Sequence, residues 1–203
     1  MSMSRTTRVV VFVAAMVSLF AVMSSAAGAV TWDNSGSTSF TATGGPGTLS
    51  VGATQLSCAD SSATGVSPTS SATGDLVTGT ATFTTCTLGG TSGQISCAYT
   101  FTAASQSGGV MSGAIHATCD FIVLGAAWCH IAGTTPASYT NPVGTTKGKL
   151  TLAHSSGTLR FFNPAGGTCL FGNNVAATLT TQTFSITAAN EPGTNGPVIA
   201  RTP

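Results

Sequence analysis

Charge is what this chain has least of. Only 5% of its 203 residues are Asp, Glu, Lys or Arg, against about a quarter in an ordinary domain. Beyond residue 29 the basic side chains are Lys147, Lys149, Arg160 and Arg201, and the acidic ones are Asp33, Asp60, Asp75, Asp120 and Glu191, a net of −1. Binding to a polyanion draws on the release of counterions by clustered cations. Four scattered cations speak against nucleic acid and charged lipid as partners.

Catalytic and metal-binding signatures are missing too. There is no Cys-x-x-Cys pair, and neighbouring cysteines lie ten or more residues apart, which removes the tight ligand spacing of structural zinc modules. No Gly-x-Ser-x-Gly elbow and no Asn-x-Ser/Thr sequon occurs. Residues 144–149 have the flavour of a phosphate loop, but Val143 stands where its first glycine belongs and Leu150 where its Ser or Thr belongs. Residues 32–36 lack the alternating acids of a calcium loop. No cofactor and no metal is therefore expected.

What the chain does have begins with Arg5 and Arg8, an apolar run over 9–23 and small residues ending in Ala29. That order predicts a cleaved signal peptide over 1–29 and secretion. The run is shorter than the roughly 20 residues of a membrane-spanning helix, so no stable membrane anchor is expected. The remaining 30–203 is long enough for one domain with a real core, and 42% hydrophobic residues favour folding over disorder.

All six cysteines, Cys58, Cys86, Cys97, Cys119, Cys129 and Cys169, lie in that domain. An even number in an exported chain predicts three disulfides among 15 possible connectivities. Alternation places Cys97 with Ile95, Tyr99 and Phe101, and Cys119 with Ile115 and Phe121, both facing inward. Cys86 shares parity with the polar row of Thr78 to Thr84, which predicts a bridge at the rim or on the second face.

Turn residues and β-formers alternate throughout. Strands are predicted over 37–43, 48–56, 76–87, 94–103, 111–123, 128–132, 149–154, 158–162, 168–171 and 177–188. Turns are expected at 44–47, 89–90, 108–109, 155–157 and 163–167. Residues 57–74, rich in Ser, Thr, Ala and Gly, read as a surface loop, and 189–203 as a flexible tail. The fold class is all-β: an antiparallel sandwich or jelly-roll-like arrangement of about eight to ten strands. Thr78, Thr80, Thr82 and Thr84 form either the wet face of a sheet or a regular hydroxyl array for ice, glycan or another polymer. An array needs matching rows on adjacent strands. Thr100 with Thr102 and Thr178 with Thr180 share the spacing, but no repeat of 20 to 50 residues relates these segments, so the wet face leads.

Residues 79–86, the Cys97 strand, residues 129–133 and the 159–169 hairpin resemble small secreted, cysteine-bridged bacterial β-proteins of uncharacterised function. The resemblance, over about 76–188, implies a secreted sandwich and carries over no site residues.

Three histidines are available to any dispersed catalytic site. His116 and Asp120, four apart on a strand, would stand about 13 Å from each other. His130 shares parity with Trp128 and reads as packed beside that ring, and His154 reads as an exposed turn residue. The expectation is a secreted, non-enzymatic structural or surface-binding domain, acting on a cell-envelope or extracellular polymer or protein. A carbohydrate-binding role is the first alternative, with Trp128, Tyr139 and Asn141 as speculative ligand contacts. A small secreted hydrolase is the second. Sparse charge on exposed strands further predicts homo-association through sheet edges.

Overall fold

The computed structural model describes residues 30–167, 169–188 and 195–202; the expected signal peptide lies outside them. These residues hold fourteen strands and no helix. The strands are β1 (Thr31–Asn34), β2 (Ser39–Gly44), β3 (Gly47–Val51), β4 (Thr54–Val66), β5 (Ser70–Ser71), β6 (Asp75–Leu88), β7 (Thr91–Ser107), β8 (Val110–Val123), β9 (Ala126–Thr140), β10 (Gly148–Leu152), β11 (Ser155–Phe162), β12 (Val175–Leu179), β13 (Gln182–Ala188) and β14 (Ile199–Thr202).

Three pairs of these are single runs broken by two residues: β2 with β3, β10 with β11, and β12 with β13. Counted as runs there are eight, joined in sequence order by antiparallel pairing. The last run returns to the first, β13 onto β2 and β12 onto β3. The sheet is thus an up-and-down ring, closed on itself. The expected all-β antiparallel class is observed, and opposite walls face each other across the interior as in a sandwich. Homo-association was expected from free edges, and closure leaves the eight runs without one.

Alternation supplies the two faces. Phe101, Phe121, Phe161 and Leu88 point inward with no exposure, while Thr41, Thr64, Thr80 and Thr118 point outward. This is the reverse of a lipid-embedded barrel, whose outward band is apolar. The interior polar side chains sit where the broken runs kink. At residues 45–46 the freed Gly45 carbonyl accepts from Ser61 Oγ at 3.2 Å and from Gln182 Nε2 at 3.1 Å. At 153–154 the buried hydroxyls of Thr135 and Ser155 pair at 3.0 Å. Each kink therefore carries its own hydrogen-bond partners inside the core.

Three corrections to the sequence reading concern residues 57–74, 168–171 and the tail. The expected loop at 57–74 is largely β4, central to the wall, with Cys58, Ser61 and Ala63 inward and Ser62 and Thr64 outward. Its inward residues are small, so apolar alternation is faint; the rings of Phe40, Phe83 and Phe184 line the space they leave. Of the strand expected at 168–171, the described residues Cys169 to Phe171 lie in a loop. Of the expected flexible tail, residues 199–202 form β14, which pairs with β1 beside β5 as a small separate sheet. Residues 189–194 lie outside the described part. Two turn assignments also change, since 45–46 is a kink within a run and 155–157 lies inside β11.

The disulfides are Cys58–Cys86, Cys97–Cys119 and Cys129–Cys169. The first two join residues directly opposite on paired strands; the third holds the 163–174 loop to β9, with Phe171 against Phe161 at 4.4 Å between centroids. Cys97 and Cys119 face inward as expected. Cys86 does not sit at a rim: it is fully buried. A bulge between Phe83 and Cys86, with Thr85 at φ 52°, inserts residues that reverse the parity. A β-branched residue in the left-handed region is a strained choice, held here by the bridge that follows it.

Candidate functional site

The outer wall carries two shallow concavities of about 580 Å³ and about 470 Å³ that share Thr78 and Gly79. Together they make one trough running across the strands. Its lining passes from Ser39 and Thr41 on β2 through Thr64 and Val66 on β4, Thr78 and Thr80 on β6, Ala98 and Thr100 on β7, and His116 and Thr118 on β8, to Ala132 and Thr134 on β9. The five spacings between six strands, at about 4.8 Å each, give a length of about 24 Å.

Register builds this row. Thr41 stands opposite Thr64, Thr64 opposite Thr80, Thr78 opposite Thr100, and Thr100 opposite His116. Matching hydroxyls therefore come from neighbouring strands whose sequences differ, including β4, which has no threonine repeat of its own. The array follows the curvature of the wall.

Glycine deepens the floor. A Cβ on Gly79 would stand 2.1 Å from the Thr64 carbonyl oxygen, and one on Gly133, at φ 147°, 2.1 Å from that of Thr158. At both places adjacent backbones approach closely and the wall bends.

No Asp, Glu, Lys or Arg lines the trough. Thr64 and Thr80 share a hydrogen bond at 3.2 Å, and His116 Nδ1 is paired with Thr134 Oγ1 at 2.8 Å. Among the described residues no side chain or backbone group engages the hydroxyls of Thr78, Thr100 and Thr118. They are free donors and acceptors facing solvent, suited to a neutral ligand bearing hydroxyl or amide groups.

The residues singled out from sequence do not meet in one place. Trp128 is 37% exposed at a bulge between β8 and β9, against Phe121. Tyr139 is buried, and its hydroxyl donates to the Pro197 carbonyl at 2.6 Å. Asn141 donates to the Ile199 carbonyl at 2.7 Å and accepts from its N–H at 2.9 Å. Tyr139 and Asn141 thus anchor residues 197–199 rather than forming a ligand platform with Trp128, because the returning C-terminal segment covers them.

Burial pushes the hydroxyls of Tyr139 and Tyr99 well above their ordinary pKa. The folded protein therefore keeps these protons when the unfolded chain, titrating near 10, releases them. Stability from this source is complete below about pH 10 and is lost as pH rises beyond it. Thermal melts should hold level from neutral pH to about 9.5 and then fall. Tyr139→Phe should cost about 1 to 2 kcal/mol at neutral pH, through its lost hydrogen bond, and should make the alkaline fall shallower.

The expectation for His130 concerns its packing beside Trp128; what the structure gives it is a charged partner. It is paired across strands with Asp120, Nδ1 to Oδ1, and Ser96 stands opposite Asp120 on its other side. The order is Ser, Asp, His, so the carboxylate lies between the hydroxyl and the base. A nucleophile needs its base within hydrogen-bond reach, and here two strand spacings separate them, about 9.6 Å. His154 is exposed at the β10 to β11 kink. Among the described residues no three His, Cys, Asp or Glu side chains are grouped to hold a metal ion. Comparison with protein-family models, with curated proteins and with solved structures finds no match to this chain.

Proposed function

We propose that this is an exported, non-enzymatic surface-contact domain whose outer trough holds an uncharged, hydroxyl-bearing polymer strand, a polysaccharide of the cell envelope or the extracellular matrix. The observation that carries the reading is the trough itself: transverse, about 24 Å long, free of Asp, Glu, Lys and Arg side chains and bearing the unengaged hydroxyls of Thr78, Thr100 and Thr118. A neutral chain bent around the wall would lie in it and exchange hydrogen bonds with successive strands. Export is supported by the amino-terminal segment and by three disulfides, which persist in oxidising compartments. The resemblance to small secreted, cysteine-bridged bacterial β-proteins points the same way.

Carbohydrate recognition here would rest on hydroxyls and His116 instead of an aromatic platform. Each hydrogen bond is then individually modest, and affinity comes from their number along the polymer. Co-sedimentation of the mature protein with cellulose, chitin and purified envelope tests the proposal. Binding to at least one neutral polymer is expected, weakened about tenfold by Thr78→Val with Thr118→Val, which keeps the β-branched shape. Equal retention of the double variant, or retention only on charged polymers, would overturn it.

A further inference from the structure

The inside of the ring is not uniformly filled. Ala42, Ala63 and Ala81 stand directly opposite one another on β2, β4 and β6, and the row continues to Cys97 and Cys119. Five successive small side chains around the inner wall leave space at mid-height, with the rings of Phe40, Phe83 and Phe184 around it. Two adjoining cavities result, of about 50 Å³ and about 80 Å³. Phe83, Cys97, Ala117 and Leu152 line both, so the Phe83 ring stands between them, edge-on to Phe184 at 6.1 Å.

The smaller cavity is lined by apolar side chains apart from the remote Tyr99 hydroxyl, which points to Thr64 O. In the larger one, Gln182 donates to Gly45 O and Ser61 Oγ, and the Thr135 hydroxyl is paired with Ser155. A water molecule needs two to four polar partners to be held, and an apolar cavity without them stays dry and takes up hydrocarbon or xenon instead. An engineered cavity of about 150 Å³ accommodates benzene. The two spaces, once merged by a turn of the Phe83 ring, approach that size.

We infer that the ring interior is a binding site for one small, uncharged, hydrocarbon-like molecule, of about the bulk of a benzene ring or a short alkyl chain. It is separate from the outer trough and on the opposite face of the same strands. The alanine row sets the size limit, and Phe83 decides whether the occupant reaches one cavity or both.

Thermal melting of the mature, disulfide-intact protein with and without benzene tests this. At about ten times the Kd the Tm should rise by about 4 °C by mass action. Ala81→Leu, which fills the space, should abolish the rise; if that variant does not fold, Ala63→Val should reduce it. Crystals pressurised with xenon should show the gas between Ala81 and Phe83. No benzene-dependent rise in the wild type, an equal rise in Ala81→Leu or Ala63→Val, or xenon seated only on the outer surface would overturn the inference.

Discussion

Replacing Cys97 and Cys119 together by alanine should lower stability by about 3 kcal/mol and Tm by about 10 °C, while the barrel still forms. The bridge spans 22 residues, and its contribution comes mainly from limiting the unfolded chain. In the folded protein it joins two residues that the β7 to β8 ladder already holds opposite each other. The same holds for Cys58–Cys86, which spans 28 residues. Removing Cys129–Cys169, whose ends are 40 apart in sequence, should cost slightly more, about 4 kcal/mol, because the longer loop it closes limits the unfolded chain further. All six sulfurs belong to buried residues, so a reductant reaches them by local opening. Release of titratable thiols by a reductant in native buffer should be slow, and circular dichroism of the fully reduced protein should retain β-sheet at room temperature with a lowered Tm. Collapse to a coil on mild reduction would mean that the bridges create the fold.

Gly79→Ala should be destabilising by about 3 kcal/mol, an unusual penalty for adding one methyl group on the wall of a barrel. Gly79 faces Gly65 on β4 and Tyr99 on β7. A Cβ there meets the Thr64 carbonyl oxygen and Gly65 Cα, which are backbone atoms and cannot rotate aside. Relief requires β4 and β6 to separate at the bend. Urea denaturation should show a lower midpoint with an unchanged m value, since the unfolded chain is scarcely altered. A change below about 0.5 kcal/mol would show that the two strands do not approach so closely. Because Gly79 also floors the trough, the variant should weaken polymer binding even at temperatures where it remains folded.

How much of this was legible in the sequence depends on side-chain size. Where inward positions carry Leu, Ile or Phe, as in β6 to β8, alternation marked the strands to within a few residues at most ends. Where they carry Ser, Ala and Gly, as in β4, the alternation had no amplitude, and a central strand read as a loop. Cys86 was misplaced by a bulge, a local event that shifts parity without any glycine to announce it, since Thr85 takes the left-handed conformation. Ring closure was hidden for another reason: the kinks at 45–46, 153–154 and 180–181 break three runs into pieces that look like separate short strands. The trough was beyond reach because its threonines are brought together by register between strands. Searching for equal spacing along the chain finds Thr78 to Thr84 and misses Thr64. The pairing of His130 with Asp120 is of the same kind, ten residues apart in sequence and opposite in the sheet.

The two interior cavities have a calculable cost. At about 24 cal/mol per Å³, cavities of about 50 Å³ and 80 Å³ forgo about 3 kcal/mol of packing. That is comparable to one disulfide.

The central claim is that the outer hydroxyl trough is the working surface. The most direct measurement is amide chemical-shift mapping of the isotope-labelled mature protein during titration with a soluble oligosaccharide of the neutral polymer it retains. Shifts confined to one band across β2, β4, β6, β7, β8 and β9, centred on Thr78, Thr100 and Thr118, are expected. Shifts centred instead on Trp128 and the 163–174 loop, with the band unmoved, would contradict it.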